Sequence, residues 1–261
     1  MSPTQMAGTV LETRQLTVGI GSKVFCRGLD LQLHAGERLA ILGRNGAGKS
    51  TLLSVLAGLR APLSGDVLIA GESYPTLGAR RSALVRGWLP QARGDAFAST
   101  VLETALVGRH PHLDRWGWET EKDAAIVRAA LAAVDLTAFE DRDIQTLSGG
   151  ERQRLAIATL LAQQPKLFLL DEPIAYLDLK HQIAMLELFD DAARKGAAVA
   201  MVLHDPALAR RFCDRVLLVY GDGEVETGPA AEVLNADRLS DLYEYPLAAV
   251  ESGGHVSFIP K

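Results

Sequence analysis

The segment from Gly43 to Ser50 has the residue types and the spacing of a phosphate-binding loop. It reads Gly-Arg-Asn-Gly-Ala-Gly-Lys-Ser, which matches the pattern G-x-x-x-x-G-K-[ST]. Glycines let successive backbone N–H groups turn toward phosphate oxygens, Lys49 can reach the β- and γ-phosphates of a nucleotide, and the Ser50 hydroxyl can ligate Mg²⁺. The predicted nucleotide-binding residues are Gly43, Arg44, Asn45, Gly46, Ala47, Gly48, Lys49, Ser50 and Thr51.

Two adjacent carboxylates, Asp171 and Glu172, close the apolar run Leu167–Leu170. A carboxylate at the end of a buried strand can hold Mg²⁺ directly or through water. Its neighbour could polarise an attacking water as a general base. A carboxylate pair at a strand end is often only a solvated turn, but its occurrence together with a phosphate loop favours the functional interpretation.

A third candidate is Ser148-Gly149-Gly150, which precedes an apolar-periodic segment. It presents a hydroxyl and two bare backbone amides at a predicted helix N-terminus, which is a second place where an anion can bind. Ser148 is also predicted to be the N-cap of this helix, with Glu151 completing a capping box. The two interpretations are compatible, because a capped helix end can still bind a γ-phosphate.

These groups need a scaffold of alternating strands and helices. The apolar run Arg38–Leu42 leads into the phosphate loop and Thr51–Leu59 follows it as a helix, so a glycine-rich turn with an incidental lysine is the weaker interpretation. Ala197–Leu203 predicts another buried strand, the pattern from about Arg80 to Gln164 is helical, and a short helix is predicted near Ala230–Leu234. The predicted fold is α/β, with a mainly parallel sheet, an N-terminal antiparallel β subdomain and an inserted α-helical subdomain.

Composition is that of an ordinary globular protein. The 261 residues are 48% hydrophobic and 23% charged, which excludes a disordered chain, and a net charge of −5 gives no basic field for nucleic acid. Two cysteines, Cys26 and Cys213, suit a reducing compartment and are predicted to be small buried apolar residues. The apolar runs are too short to span a membrane, and the first ten residues lack the pattern of a signal peptide. We therefore expect a cytoplasmic protein that does not span the membrane.

Taken together, these motifs resemble the ATP-binding subunits of ATP-binding cassette (ABC) transporters, over about Val10 to Val250. In that family Leu147–Glu151 corresponds to the signature motif, and two subunits enclose two ATP molecules between the phosphate loop of one and the signature of the other. The resemblance implies ATP and Mg²⁺ as ligands and a homodimer. It also implies one domain over 1–261, with a core at about 10–88 and 165–228, a helical subdomain at about 89–164 and a tail at about 229–261.

The resemblance assigns three further residues. Gln91 matches the Q-loop glutamine, which senses Mg²⁺ and the γ-phosphate and links to the permease. Asp178 matches the D-loop aspartate at the dimer seam, and His204 matches the switch histidine beside the γ-phosphate, although a lone histidine is more often structural. The implied catalytic residues are Glu172 and His204, and the implied Mg²⁺ ligands are Ser50, Gln91 and Asp171.

Two short stretches, Val107–His112 and Leu177–Gln182, resemble the ATPases of metal-chelate importers. They imply an ATPase that powers uptake of haem or a ferric siderophore, with cobalamin as the alternative. The implied partners are a membrane permease and, indirectly, a periplasmic chelate-binding protein, and no nucleic-acid partner is implied. The subunit is expected to be peripheral, on the cytoplasmic face of the inner membrane. His110, His112 and His181 are predicted to be surface histidines rather than a metal site, because no cysteine or carboxylate cluster joins them.

Other roles remain open at this point. An exporter ATPase is possible because direction resides in the permease and its periplasmic partners. A soluble cassette ATPase of translation usually carries two cassettes in one chain, and a chromosome-organising ATPase needs long heptad arms; this sequence has one phosphate loop and no sustained heptads.

The sequence departs from the family at the adenine site. The family usually has an aromatic residue about 29 positions before the phosphate-loop lysine, stacked on adenine, and this chain has Ile20 there. Phe25 is close in sequence but out of register, and we predict that it packs against the core.

Overall fold

The chain folds into sheets joined by helices, as a computed structural model describes for residues 8–91, 98–114 and 117–261. The strands are β1 (Thr9–Ile20), β2 (Lys23–His34), β3 (Arg38–Leu42), β4 (Ser64–Ile69), β5 (Glu72–Ser73), β6 (Arg86–Leu89), β7 (Leu167–Asp171), β8 (Ala198–Val202), β9 (Arg215–Val219), β10 (Val225–Pro229), β11 (Leu247–Ser252) and β12 (His255–Pro260). The α-helices are α1 (Lys49–Leu56), α2 (Tyr74–Val85), α3 (Val101–Leu106), α4 (Glu121–Ala133), α5 (Gly149–Gln163), α6 (Leu179–Arg194), α7 (Pro206–Phe212), α8 (Ala230–Val233) and α9 (Ala236–Tyr243). Short 3₁₀ helices cover Val107–His112, Thr137–Phe139 and Ile144–Thr146.

The central sheet has the strand order β10-β9-β3-β8-β7-β6. Adjacent strands of this sheet are parallel, except that β10 runs antiparallel to β9. Strands β7 and β8 are buried along their whole length, because apolar cores cover both faces of the sheet. The arrangement confirms the predicted α/β class, and it brings the carboxyl ends of β3, β7 and β8 to one edge of the sheet.

Successive side chains of β3 point to opposite faces of the central sheet, and each face packs against a different hydrophobic core. Ala40 and Leu42 belong to the core that contains the helices after residue 100, whereas Leu39 and Ile41 belong to the core shared with the N-terminal strands. Those N-terminal strands form an antiparallel sheet of order β2-β1-β4-β5, which confirms the predicted antiparallel subdomain. Cys26 and Cys213 are both buried, as predicted.

Capping boxes begin three helices of the segment after residue 100. Thr100, Thr120 and Ser148 each accept a hydrogen bond from the backbone N–H three residues on, and the side chain of that third residue returns a bond to the cap. The box predicted at the start of α5 is therefore present. Each box satisfies two helix-end donors that would otherwise lack a partner.

One prediction about secondary structure was wrong, and one was incomplete. The range predicted as helical contains the four-residue strand β6, which becomes a strand by pairing in parallel with β7. The predicted C-terminal helix corresponds to α8, but α9 and the hairpin of β11 and β12 had not been predicted. Outer residues of this hairpin are exposed, so apolar periodicity gives little signal there.

In the part of the chain that the structure describes, none of the helices has the length and the apolar character required to cross a bilayer. Residues 1–7, which belong to the segment used for the signal-peptide prediction, lie outside that part.

Candidate functional site

The phosphate loop joins the end of β3 to the start of α1. Gly46 and Gly48 have φ angles of +78° and +95°, a region that favours glycine. A Cβ atom on Gly48 would also lie 2.3 Å from the ring of Phe25, so no side chain fits at that position. The first turn of α1 receives no side-chain cap, which leaves its N–H groups available to an anion.

Lys49 is buried at the base of this loop. Its Nζ donates to the carbonyl oxygens of Gly43 at 2.8 Å and Arg44 at 2.9 Å. Burial lowers the pKa of Lys49, and the nearby carboxylates of Glu172 and Asp171 partly oppose that shift. Among the described residues, the hydrogen-bond acceptors of the ammonium group are neutral carbonyls, and a phosphate oxygen would be a stronger partner.

Ser50 and Asp171 meet although they are 121 residues apart. The Ser50 hydroxyl donates to Asp171 Oδ1 at 3.0 Å, and burial raises the pKa of that carboxyl group. Gln91, whose side chain carries an amide oxygen, lines the same cavity as Ser50. These are hard oxygen donors, and Mg²⁺ is usually held by one or two carboxylates while it keeps waters and substrate phosphate. The donor set therefore fits Mg²⁺.

Glu172 and His204 are also in direct contact. Their strands, β7 and β8, are parallel neighbours with Asp171 opposite Val202, so the residues that follow the two strands come together. His204 Nε2 lies 2.8 Å from Glu172 Oε1. Both side chains line a cavity of about 410 Å³, whose lining residues are Phe25, Asn45, Gly46, Gly48, Lys49, Ser50, Thr51, Gln91, Glu172 and His204.

The remaining predicted residues lie outside this cavity. Ser148 and Gly149 are exposed at the start of α5. Asp178 is the exposed N-cap of α6, and one of its carboxylate oxygens lies 2.9 Å from the His181 ring. Ser148, Gly149, Gly150 and Asp178 thus belong to a second surface, centred on the start of α5 and the turn before α6, which this chain does not bring to its own cavity.

The three histidines considered for a metal site do not form one. His112 Nε2 is bonded to the carbonyl of Gln163 at 2.8 Å, and His110 lies 3.9 Å from Glu119. Among the described residues, no group of three or more histidine, cysteine or acidic side chains could hold a metal ion.

Two contacts at the site could not be read from the sequence. Phe25 is only 7% exposed, as expected of a core residue, yet its ring also packs on Gly48 and lines the cavity. Arg44 in the phosphate loop forms an ion pair with Glu244, which directly follows α9, so the C-terminal segment reaches the loop. For the first contact, the one available signal was an aromatic residue soon after the turn Gly21-Ser22, which joins β1 to β2. Nothing in the sequence indicated the second.

The fold and the cavity together define a P-loop nucleotide-binding protein. The family model described as "ABC transporter" matches residues 26–175. The hemin import ATP-binding protein HmuV of Streptomyces coelicolor is 41% identical over 89% of this chain and 82% of its own length. The petrobactin import ATP-binding protein FpuD of Bacillus anthracis is 38% identical over 89% of this chain and 86% of its own length.

A solved structure of a metal-chelate type ABC transporter in an inward-facing conformation is also similar. It superposes with a TM-score of 0.84 at 28% identity and covers 97% of this chain and 98% of the solved chain. The protein belongs to the ABC transporter family, as an ATP-binding subunit with ATPase activity coupled to transport.

Ile20 gives a first test of how adenine is held. It is 48% exposed at the end of β1, where it pairs with Lys23, and it lacks the stacking that an aromatic ring adds, about 0.5–1.5 kcal/mol beyond buried area. We expect Ile20→Tyr to tighten Mg-ATP binding between a few-fold and about tenfold, with little change in maximal turnover. Nucleotide titration of parent and variant at equal Mg²⁺ and salt measures the effect.

Val107→Tyr is the matched control, because Val107 is similarly exposed but lies on the 3₁₀ helix Val107–His112, outside the lining of the cavity. Unchanged or weaker binding by Ile20→Tyr would mean that residue 20 does not face the base. Phe25 would then be the next candidate for that role.

Proposed function

We propose that this chain is the ATP-hydrolysing subunit of an importer for an iron chelate, either haem or a ferric siderophore. One observation carries the hydrolytic part: residues of the phosphate loop, Glu172 and His204 line a single cavity, and Ser50 in that lining donates a hydrogen bond to Asp171. The importer part is supported by relatives named for import of hemin and petrobactin and by a structural neighbour of the metal-chelate type. Cobalamin remains the alternative cargo.

Each group in the cavity has a definite task in this proposal. Lys49 and the amides of the phosphate loop bind and orient the phosphates, which accounts for much of catalysis in phosphoryl transfer. Mg²⁺, held through Ser50, Asp171 and Gln91, would neutralise phosphate charge. Glu172 accepts the proton of the attacking water, and His204, which contacts Glu172, stabilises the γ-phosphate.

The second surface is the reason to propose a homodimer. Ser148, Gly149, Gly150 and Asp178 could not act on a nucleotide in the chain's own cavity, but a second copy could offer them to it. The helix N-terminus at Ser148 would then place its amides near the γ-phosphate of the facing subunit. In this proposal the whole chain, 1–261, is one ATP-binding domain with core segments at about 10–88 and 165–228, a helical subdomain at about 89–164 and a tail at about 229–261.

The proposed setting follows from the importer role. The dimer binds the cytoplasmic face of an integral membrane permease and remains peripheral to the inner membrane. A periplasmic chelate-binding protein delivers cargo to the other side of that permease, so it does not contact this chain.

Uptake measurements test the proposed cargo. A strain that lacks this gene should lose ATP-dependent uptake of radiolabelled haem or of a radiolabelled ferric siderophore, and the parent gene should restore it. The gene carrying Glu172→Gln, expressed at the same level, should not restore it, because transport needs hydrolysis. Loss of cobalamin uptake with both iron chelates unaffected would assign the alternative cargo. Normal uptake of all three would contradict the importer proposal.

A further inference from the structure

Gln153 is a buried polar residue on a helix whose other buried side chains, apart from Thr159, are apolar. It lies on α5, five residues after Ser148, and is 9% exposed. Its Nε2 donates to the carbonyl oxygen of Pro173 at 2.8 Å. Burying an amide costs free energy unless it is hydrogen-bonded, and an apolar side chain would fill the same space without that cost. The hydrogen bond to Pro173 therefore calls for a functional explanation.

The acceptor belongs to the turn that carries Glu172. This turn, residues 172–178, joins β7 to α6, and Glu172 and Tyr176 within it have φ angles of +52° and +64°. Non-glycine residues rarely adopt this left-handed region, and they stay there only where surrounding contacts hold them. Pro173 supplies no N–H of its own, so the turn depends on donors from elsewhere.

Asp178, at the end of this turn, is bonded to the first turn of α6, and the turn has two other hydrogen bonds nearer to Pro173. Within it, the N–H of Ala175 donates to the carbonyl of Glu172 at 3.1 Å. From α6, Gln182 Nε2 reaches the carbonyl of Ile174 at 3.5 Å, the outer limit of a hydrogen bond. Of the two side-chain amides that donate to the carbonyls of Pro173 and Ile174, Gln153 makes the shorter bond, and it is made to the residue next to Glu172.

Helix α5 touches the same turn at a second point. A Cβ atom added to Gly150 would lie 3.2 Å from the carbonyl oxygen of Tyr176 and 3.6 Å from Leu177 Cδ2. The start of the helix is therefore in close contact with the far end of the turn, while Gln153 holds its near end. The N-terminal part of α5 therefore contacts the turn near both of the turn's ends.

We propose that Gln153 is a positioning residue for Glu172. By holding the Pro173 carbonyl, it fixes the backbone from which the Glu172 carboxylate projects toward His204 and the cavity. This inference rests on the proposed role of Glu172 in hydrolysis. It has a consequence for the dimer: the helix that offers Ser148 to the facing subunit's nucleotide also sets the carboxylate that acts on the chain's own nucleotide.

The test compares two glutamines of the same helix. Gln153→Met keeps the length of the side chain and removes the donor. Gln163→Met is the matched control, because Gln163 donates to the carbonyls of Ala83 at 2.6 Å and Arg86 at 2.9 Å, at the other end of α5 and outside the cavity. We expect Gln153→Met to lower kcat about tenfold, or about 1.4 kcal/mol of barrier, with Mg-ATP affinity within about twofold of the parent. Gln163→Met should keep the parent kcat.

A double variant separates positioning from general destabilisation. In a Glu172→Gln background, Gln153→Met should not slow residual single-turnover hydrolysis further, because the group it positions is already absent. Should Gln153→Met not fold, Gln153→Asn, which is one methylene too short to reach Pro173, replaces it under the same criteria.

Three results would overturn the inference. They are parent-like kcat in the Gln153 variant, an equal loss in Gln163→Met, or a further tenfold loss in the Glu172→Gln background. By contrast, a parent protein that does not hydrolyse Mg-ATP, or one in which Glu172→Gln leaves turnover intact, would overturn the proposed function itself. The two failures are therefore distinguishable.

Discussion

Replacing Lys49 with alanine is expected to abolish nearly all ATP hydrolysis, with a loss of at least about a hundredfold. The buried Lys49 ammonium group lies at the base of the cavity and donates to the carbonyls of Gly43 and Arg44. Alanine removes the charge that would bind the β- and γ-phosphates. Steady-state phosphate release at saturating Mg-ATP measures the loss, and nucleotide titration measures the accompanying fall in affinity.

Lys195→Ala is the control for Lys49→Ala. Lys195 is an exposed lysine that caps the end of α6 and does not line the nucleotide cavity, so its removal should leave turnover unchanged. Circular dichroism of both variants checks that they fold. Near-normal hydrolysis by Lys49→Ala would contradict the assignment of Gly43–Ser50 as the phosphate-binding loop.

Glu172→Gln is expected to preserve Mg-ATP binding and to slow hydrolysis by about 10²- to 10⁴-fold. The amide keeps the size of the side chain and can still contact His204, which lies 2.8 Å from the carboxylate, but it cannot accept a proton from water. Because the bound ATP then persists, the two subunits should stay associated. A sizing column should show a dimer with Mg-ATP and a monomer without nucleotide.

Glu187→Gln provides the comparison for this experiment. Glu187 is exposed on α6, and the same change of charge there should affect neither hydrolysis nor association. Hydrolysis by Glu172→Gln at a substantial fraction of the parent rate would move the general base elsewhere, with His204 the next candidate. Failure of the variant to dimerise in Mg-ATP would count against the composite site.

The local motifs were predictable from the sequence because each depends on residues that are close in the chain. Gly43–Ser50 lies between an apolar strand and a helix, and the structure has β3 and α1 on either side of it. The capping box of Ser148 and Glu151 likewise needs only a spacing of three residues, which the sequence displays directly. Apolar runs of strand length were enough to predict the α/β class.

The C-terminal segment was less predictable. Its hairpin is exposed on its outer face, and the ion pair of Glu244 with Arg44 joins positions 200 residues apart in the numbering. Surface ion pairs leave no periodic trace in a sequence, because a charged residue is expected at any exposed position. The contact between this segment and the phosphate loop therefore became visible only in the folded chain.

The assembly of the cavity was decided by the tertiary structure. Parallel pairing of β7 with β8 puts Glu172 beside His204, and the order β3-β8-β7 brings Ser50 within hydrogen-bond distance of Asp171. The four-residue strand β6 likewise forms because it pairs in parallel with β7. By itself, the sequence determined which groups could do chemistry and which elements carry them. Which of these groups meet depends on strand order and on packing between distant segments, because those contacts are formed by residues that share no local pattern.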